Sequence, residues 1–182
     1  MTPVDSLQGH LLISSPLLHD PNFRRTVLLM THHDDEGAMG LVLSRPSEIR
    51  VADAVPELAE LPGAGELVYI GGPVQPEAVV VLLEHEDEPV DTTPIVGNVA
   101  FMPAGSEVDE LEVVRARVFA GYSGWGPGQL EGELDESSWI VVPAEPDDVF
   151  AADPDELWRT VLHRKGGKFA LIATMPYDPK LN

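Results

Sequence analysis

The sequence predicts an α+β fold: a mixed, largely antiparallel sheet with two to four helices. Three observations support this class. Apolar strand-like runs outnumber helical segments, several of these runs follow one another directly, and the alternation is too irregular for a doubly wound parallel sheet. With 182 residues, of which 43% are hydrophobic and 23% charged, the chain has the size and composition of one globular domain over residues 1–182.

The predicted strands are short apolar runs bounded by turn residues. TVLLMTH and AMGLVLS flank the acidic segment HDDEG, which predicts an antiparallel hairpin, and Arg45-Pro46 ends it because the residue before proline avoids the helical region. Two prolines in SSPLLHDPNF (14–23) interrupt regular structure just before this hairpin. The runs that predict strands lie at residues 10–14, 26–32, 38–44, 66–70, 78–85, 99–102, 116–123 and 138–144.

Two segments have the periodicity of a helix. Apolar residues recur on one face of Val51–Leu61, and Pro56 must kink or split this helix because proline removes a helix hydrogen bond. In DPDELWRTVLH (153–163), Asp153 can cap the helix, Pro154 fits its first turn, and Gly166-Gly167 end it. The pattern leaves the type of two short segments open, at residues 107–114 and 168–174.

Charge and cysteine content restrict the classes of partner. The chain has 11 basic and 31 acidic residues, a formal net charge of −20, which repels phosphate backbones and anionic lipids. Direct nucleic-acid binding is therefore disfavoured, and no membrane partner is expected. The absence of cysteine excludes disulfides, thiolate zinc sites and cysteine nucleophiles. MTPVDSLQGHLLISSP has neither a basic region nor a long apolar stretch, and no run reaches membrane-spanning length, so we expect a cytoplasmic protein.

The segment AGYSGWGPGQLEGEL (120–134) has four glycines in eight residues ahead of a predicted helix. It lacks the spacing of a dinucleotide fingerprint or a P-loop, and Glu131 and Glu133 would meet a bound phosphate with like charge. A nucleophile elbow is also excluded, because Trp125 follows Ser123 at the position where that motif needs glycine. The pattern therefore favours a strand-to-helix corner.

Each part of this corner has an expected role. Gly124 and Gly126 would supply backbone angles that other residues resist, and Pro127 would open the helix. Trp125 would anchor the turn, with Gln129 as one candidate partner for its indole N–H. In the helix, the two glutamates would complement the helix dipole, and Leu130 and Leu134 would face the core.

GGPV (71–74) predicts a turn between two strands, with a ligand loop as the alternative. Glycines, aromatic residues and an amide cluster here and in residues 122–129, and such groups can line a pocket. The candidate ligand or partner surface therefore consists of Gly71, Gly72, Pro73, Tyr122, Trp125 and Gln129.

Other polar clusters favour structural roles. His32 and His33 are adjacent on a strand and point to opposite faces, so HHDDE (32–36) predicts a solvated acidic turn and not a metal site. Arg115 and Arg117 share one strand face and are expected to pair with carboxylates, with a local anion site as the alternative. No catalytic residue, metal or cofactor is predicted.

Several long motifs, in the same order, resemble the shared blocks of the AlgH/YqgE family of small bacterial proteins. They are GHLLISSPLLHDPNFRRTVLLMTHHDDEGAMGLVLSRP, GGPV, GYSGWGPGQLEGEL followed by Trp139, and the terminal DPKLN. Ser44 stands where the family commonly has Asn, and Ser123 where it commonly has Ala. The resemblance covers nearly the whole chain and implies a bifurcated sheet folded into a pseudo-barrel with flanking helices. The family is largely uncharacterised and carries a transcriptional-regulator label, and it supplies no catalytic residues to carry over.

These observations favour a cytoplasmic protein that acts by binding a protein or a small molecule, in regulation and without direct catalysis. One alternative is an enzyme acting on a small ligand near residues 71–73 and 122–129. Another is a scaffold for a partner protein. The sequence identifies neither the ligand nor the partner.

Overall fold

A computed structural model describes residues 5–15, 25–65 and 67–175. The strands are β1 (His10–Ser14), β2 (Val27–Asp34), β3 (Gly37–Val42), β4 (Pro46–Arg50), β5 (Leu67–Ile70), β6 (Val74–His85), β7 (Val99–Phe101), β8 (Val113–Trp125) and β9 (Trp139–Pro143). The helices are α1 (Val51–Ala54), α2 (Gln129–Asp135), α3 (Pro146–Val149), α4 (Pro154–Lys165) and α5 (Lys168–Ile172), with 3₁₀ helices at Pro56–Glu60 and Val108–Glu110. Most of the proline-bearing break at 14–23 and all of DPKLN lie outside the described residues.

The nine strands form one mixed sheet in the order β4-β5-β8-β3-β2-β1-β9, with β6 joined to β8 and β7 joined to β6. Every pairing is antiparallel except that between β5 and β8. The sheet branches and does not close. The predicted fold class is confirmed, and so is the hairpin of β2 and β3. β4, which follows the hairpin at Pro46, was not predicted.

The sheet divides along β8. The first part of this strand pairs with β5 and β6, and its last three residues pair with β3. At the division, Gly121 has a left-handed backbone with φ 70°. Phe119 and Tyr122 are three residues apart, yet both contact the main core, so the usual alternation of side chains shifts here by one residue.

Three apolar clusters fill the fold. In the main core, residues of eight strands, all except β4, meet Leu157, Trp158 and Val161 of α4. A second cluster lies between the sheet and the segment of α1 and the 3₁₀ helix Pro56–Glu60. The third packs α2 onto β1, β2 and β3, and it contains two tryptophans, Trp125 and Trp139.

The helix boundaries follow the sequence signals where proline and capping residues dominate. The helical segment over residues 51–61 splits as predicted, because α1 ends at Ala54 and a 3₁₀ helix starts at Pro56. The Asp153 side chain accepts two backbone N–H bonds from the first turn of α4, which confirms it as the cap, and Gly166 ends this helix at φ 78°. No helix among the described residues is both long and apolar enough to cross a membrane.

Candidate ligand-binding cleft

A cleft of about 300 Å³ opens between the end of β8, one face of α2 and the start of β9. Its volume is at the lower end of the range for small-molecule sites. The lining residues come from four segments of the chain: Pro73, Val74, Ser123, Gly124, Trp125, Gln129, Glu133, Glu136, Ser138 and Trp139.

The corner that shapes this cleft differs from its predicted form. β8 continues to Trp125, and the helix begins only at Gln129. Gly128 precedes it with φ 75°, so Pro127 lies outside the helix and does not open it. The left-handed glycines of this region are Gly121 and Gly128, which corrects the expectation for Gly124 and Gly126. The turn therefore follows Trp125, and Gly128 is the residue that adopts the left-handed backbone conformation of the turn.

Two tryptophans and one glutamate form the inner wall of the cleft. Trp125 and Trp139 pack edge to face, with ring centroids 6.4 Å apart and an interplanar angle of 76°. Each indole Nε1 donates a hydrogen bond of 2.8 Å to the same oxygen, Oε2 of Glu133. The Trp125 partner is therefore Glu133 and not Gln129, and Glu133 does more than complement the helix dipole. One carboxylate joins β8, α2 and β9.

The predicted amide, Gln129, has a local role at the rim. Its side-chain Oε1 accepts the backbone N–H of Gly126 at 3.0 Å, which fixes the turn before α2. Further along the helix, Leu130 is buried and Leu134 packs against the third core cluster, as predicted. The Ser138 N–H donates to the Glu133 carbonyl at 3.0 Å, which brings β9 back toward the cleft.

The GGPV segment lies directly against β8. The Gly71 carbonyl accepts the Val42 N–H at 2.9 Å and the Ser123 hydroxyl at 3.2 Å. A Cβ on Gly71 would collide with the Gly121 carbonyl, and one on Gly72 would collide with the backbone of Tyr122 and Ser123. The two glycines therefore permit a backbone-to-backbone approach, which places Pro73 at the edge of the cleft.

The structure brings three of the six candidate surface residues to the cleft: Pro73, Trp125 and Gln129. Gly71 and Gly72 are buried beneath it, and the half-buried Tyr122 side chain packs against the main core. The other seven lining residues were not among the six candidates: Val74, Ser123, Gly124, Glu133, Glu136, Ser138 and Trp139. A signal for Glu133 and Glu136 was present, since positions 129, 133 and 136 have the spacing of one helical face.

His33 is another polar residue whose surroundings differ from the prediction. It diverges from the exposed His32 as predicted, but it is 5% exposed and not part of a solvated turn. Its Nδ1 accepts the Leu7 N–H at 3.0 Å, so Nε2 carries the proton and donates to Glu131 at 2.7 Å. This hydrogen bond lowers the pKa of Glu131 and ties the β2–β3 hairpin to α2.

The two arginines of β8 behave differently. Arg115 pairs with Glu84 at 2.6 Å and Asp147 at 3.0 Å, as predicted. Arg117 is 7% exposed and has no ion pair among the described residues. Its guanidinium donates to the carbonyls of Phe150 and Ala151 and lies 4.1 Å from the centre of the Tyr69 ring. The expectation of a carboxylate partner for Arg117 was wrong, because its position in the main core favours carbonyl and aromatic neighbours.

The two serines at which the motifs depart from the family pattern both hold backbone groups. The Ser44 Oγ accepts the Val27 N–H at 3.1 Å. The buried Ser123 Oγ donates to Gly71, and this bond locks the GGPV segment onto β8.

Fold and cleft together define a class: a small α+β protein with a branched, open sheet and an aromatic cleft beside a short helix. The chain belongs to the AlgH-like family, since the family model described as DUF179, AlgH-like, matches residues 11–170. This confirms the resemblance seen in the motifs.

Relatives and solved structures agree with this family over nearly the whole chain. A UPF0301 protein of Streptomyces coelicolor is 43% identical, covering 100% of this chain and 98% of its own length. A UPF0301 protein of Thermobifida fusca is 40% identical, with 97% and 96% covered. The crystal structure of protein DIP2367 from Corynebacterium diphtheriae has a TM-score of 0.86 at 28% identity, with 96% and 95% covered. The solution structure of the AlgH protein from Pseudomonas aeruginosa has a TM-score of 0.73 at 31% identity, with 97% of each chain covered.

Proposed function

We propose that this protein is a cytoplasmic binding protein with a regulatory, non-catalytic role, and that the cleft beside α2 is its binding site. The observation that carries the proposal is the wall of two tryptophans anchored on one carboxylate, next to a cleft of about 300 Å³. Aromatic walls with a few fixed polar groups are typical of ligand sites.

The hydrogen bonding of the cleft favours recognition over chemistry. The Ser123 hydroxyl donates to a backbone carbonyl, and Gln129 holds a backbone N–H. Glu133 accepts from two indoles. Side chains held in this way are rigid and oriented, which reduces the entropy cost of binding.

The three tryptophans of the chain provide a test. Trp125 and Trp139 line the cleft, whereas Trp158 lies in the main core and serves as an internal control. We expect at least one compound from a defined set of small cations, anions and neutral molecules to shift the indole N–H NMR resonances of Trp125 and Trp139 and to leave that of Trp158 in place. If the whole set leaves the two cleft resonances unmoved, or shifts all three equally, the proposal fails.

A rim substitution tests the cleft, with thermal unfolding measured beside binding because Gln129 also holds the Gly126 N–H. Gln129→Ala removes a cleft-lining amide at an exposed position and should weaken the interaction of any responding compound. Gly132→Ala, on the same helix with open space around its Cβ, is the matched control and should bind like the unmodified protein. Equal binding by both variants would place the compound outside the cleft.

A partner-protein scaffold is a second candidate, favoured by one apolar row. Ile70 of β5 and Val79 of β6 both pair with Ala120 of β8, so the three side chains share one face of the sheet. Ile70 is 45% exposed and Val79 is 51% exposed. A scaffold role predicts that a protein retained from a bacterial lysate is lost by the I70K/V79K variant and kept by V90K, which changes an exposed loop position. If the unmodified protein, the I70K/V79K variant and the V90K variant all retain the same protein, this surface is not the docking site.

A further inference from the structure

Among the residues that the structure describes, those lining the cleft supply acceptor groups and negative charge but no positive charge. Its ten lining residues include two carboxylates, Glu133 and Glu136, and no lysine, arginine or histidine. The Ser123 hydroxyl donates its proton to Gly71 and so has no proton left for a ligand. In a chain of formal charge −20, this lining repels anions and attracts cations.

Glu133 combines an anchored oxygen with an available one. Both indoles donate to Oε2, and no residue in the described ranges donates to Oε1. The two bonds fix the rotamer of the carboxylate before any ligand arrives. Ordering a side chain is the usual entropy cost of an exposed ion pair. A cation that binds Oε1 avoids this cost for the Glu133 side chain, because the side chain is already fixed.

The tryptophans add a second attraction for the same kind of ligand. Trp125 and Trp139 both line the cleft, with their rings inclined at 76° to each other. Aromatic faces attract ammonium and guanidinium groups, and tryptophan does so most strongly. The combination of aromatic faces and a fixed carboxylate is poorly suited to a neutral polar group and unsuited to an anion.

From these contacts we infer that the cleft binds a monovalent organic cation, an ammonium or a guanidinium group on a short apolar stem. The inference rests on the proposed function and specifies its ligand class. A cleft of about 300 Å³ admits a group the size of an arginine or lysine side chain. Such a cation is carried either by a free amine or by a side chain of a peptide, and the test distinguishes the two sources.

The probes are n-butylguanidinium and n-butylammonium, with 1-butanol and butyrate as matched neutral and anionic compounds. Each is titrated into the protein while the indole N–H resonances are followed. We expect both cations to shift Trp125 and Trp139, and 1-butanol and butyrate to bind at least about tenfold more weakly, as the loss of a charge-assisted contact requires. If 1-butanol or butyrate binds as well as the cations, the proposed binding site stands and the cation inference is wrong. If none of the four moves these resonances, this inference is overturned as well.

A charge reversal inside the cleft is compared with one just outside it. Glu136 lines the cleft, whereas the exposed Asp135 is its neighbour on the helix and does not. At physiological salt, where distant charges are screened, E136K should weaken n-butylguanidinium at least about fivefold and D135K less than about twofold. Equal effects of the two variants would show a general attraction to the acidic surface and would overturn the inference.

The source of the cation follows from one further comparison. An acetylated Gly-Arg-Gly amide presents the same guanidinium on a peptide. If it binds more tightly than n-butylguanidinium and competes with it, the ligand is a side chain of a peptide; if it binds more weakly, the ligand is a free organic cation. A peptide that binds without competing would contradict the cleft as the shared site.

Discussion

Removing the carboxylate of Glu133 should destabilise the fold more than its position on a short helix suggests. The Glu133→Ala variant leaves two indole N–H donors without their acceptor, in side chains of residues that are only 8% and 7% exposed. An unsatisfied buried donor costs about 1–3 kcal/mol, so the pair should cost roughly 2–6 kcal/mol. For a chain of this size, each kcal/mol lowers the melting temperature by about 2–4 °C.

The Glu133→Gln variant separates the geometry of the bond from its charge. Its amide oxygen can still accept both indoles, but neutral hydrogen bonds have roughly half the strength of charge-assisted ones. We therefore expect a loss of about 1–2 kcal/mol, clearly smaller than that of the alanine variant. Glu136→Ala is the control, since this carboxylate accepts no hydrogen bond among the described residues and its loss should change stability by less than about 0.5 kcal/mol.

Urea unfolding, followed by tryptophan fluorescence and by far-UV circular dichroism, gives the free energy of unfolding for all three variants. The predicted order of stability is E136A, then E133Q, then E133A. If E133A lies within about 0.5 kcal/mol of the unmodified protein, or if E133Q and E133A are equal, the shared acceptor does not stabilise the inner wall of the cleft.

Three other predictions concern glycine packing, acid stability and the buried arginine. Gly72→Ala should lower the free energy of unfolding by about 3 kcal/mol, because its Cβ would meet the backbone of β8. Gly105→Ala, at a left-handed position in open space, should lower it by only about 1 kcal/mol. Equal losses in urea unfolding would contradict the close approach of Gly72 to β8. The hydrogen bond from His33 lowers the pKa of Glu131, so its stabilisation is complete above the ordinary value of 4.5 and is lost as the pH falls through the lower folded-state pKa. The stability difference between the unmodified protein and E131Q should therefore shrink between neutral pH and about pH 3, and a constant difference would refute the pair. Arg117→Lys keeps the charge but lacks the planar guanidinium that donates to two carbonyls at once, so it should lower stability by about 1–3 kcal/mol. An unchanged melting temperature in thermal unfolding would contradict the hydrogen bonds described for Arg117.

The sequence predicted the elements that local chemistry controls. Apolar runs identified eight of the nine strands, and the acidic turn before β3 identified the hairpin. The mostly exposed β4 (PSEIR) has no apolar run and was not predicted. Asp153 and Pro56 predicted where α4 begins and where the segment over residues 51–61 splits. In these cases the deciding contacts are within a few residues of one another. Whether residues 1–182 form a single domain stays a prediction.

The branch of the sheet and the cleft depend on contacts between distant segments. Gly121 marks the branch, but a left-handed glycine in a strand also occurs in ordinary bulges, so the residue alone does not predict a division of the sheet. The sequence placed Trp125 on a turn with Gln129 because both are in one motif, whereas the structure pairs it with Glu133 and with Trp139 of another strand. The helical spacing from Gln129 to Glu136 shows a shared face, but only tertiary packing shows what that face meets.

The most direct test of the cleft as a site for organic cations is an intermolecular NOE measurement on the protein with n-butylguanidinium. We predict NOEs from the butyl and guanidinium protons to the indole protons of both Trp125 and Trp139. The main competitor is the open acidic depression lined by Glu84, Glu86 and Asp87. NOEs confined to that depression, with none to either indole, would contradict the assignment.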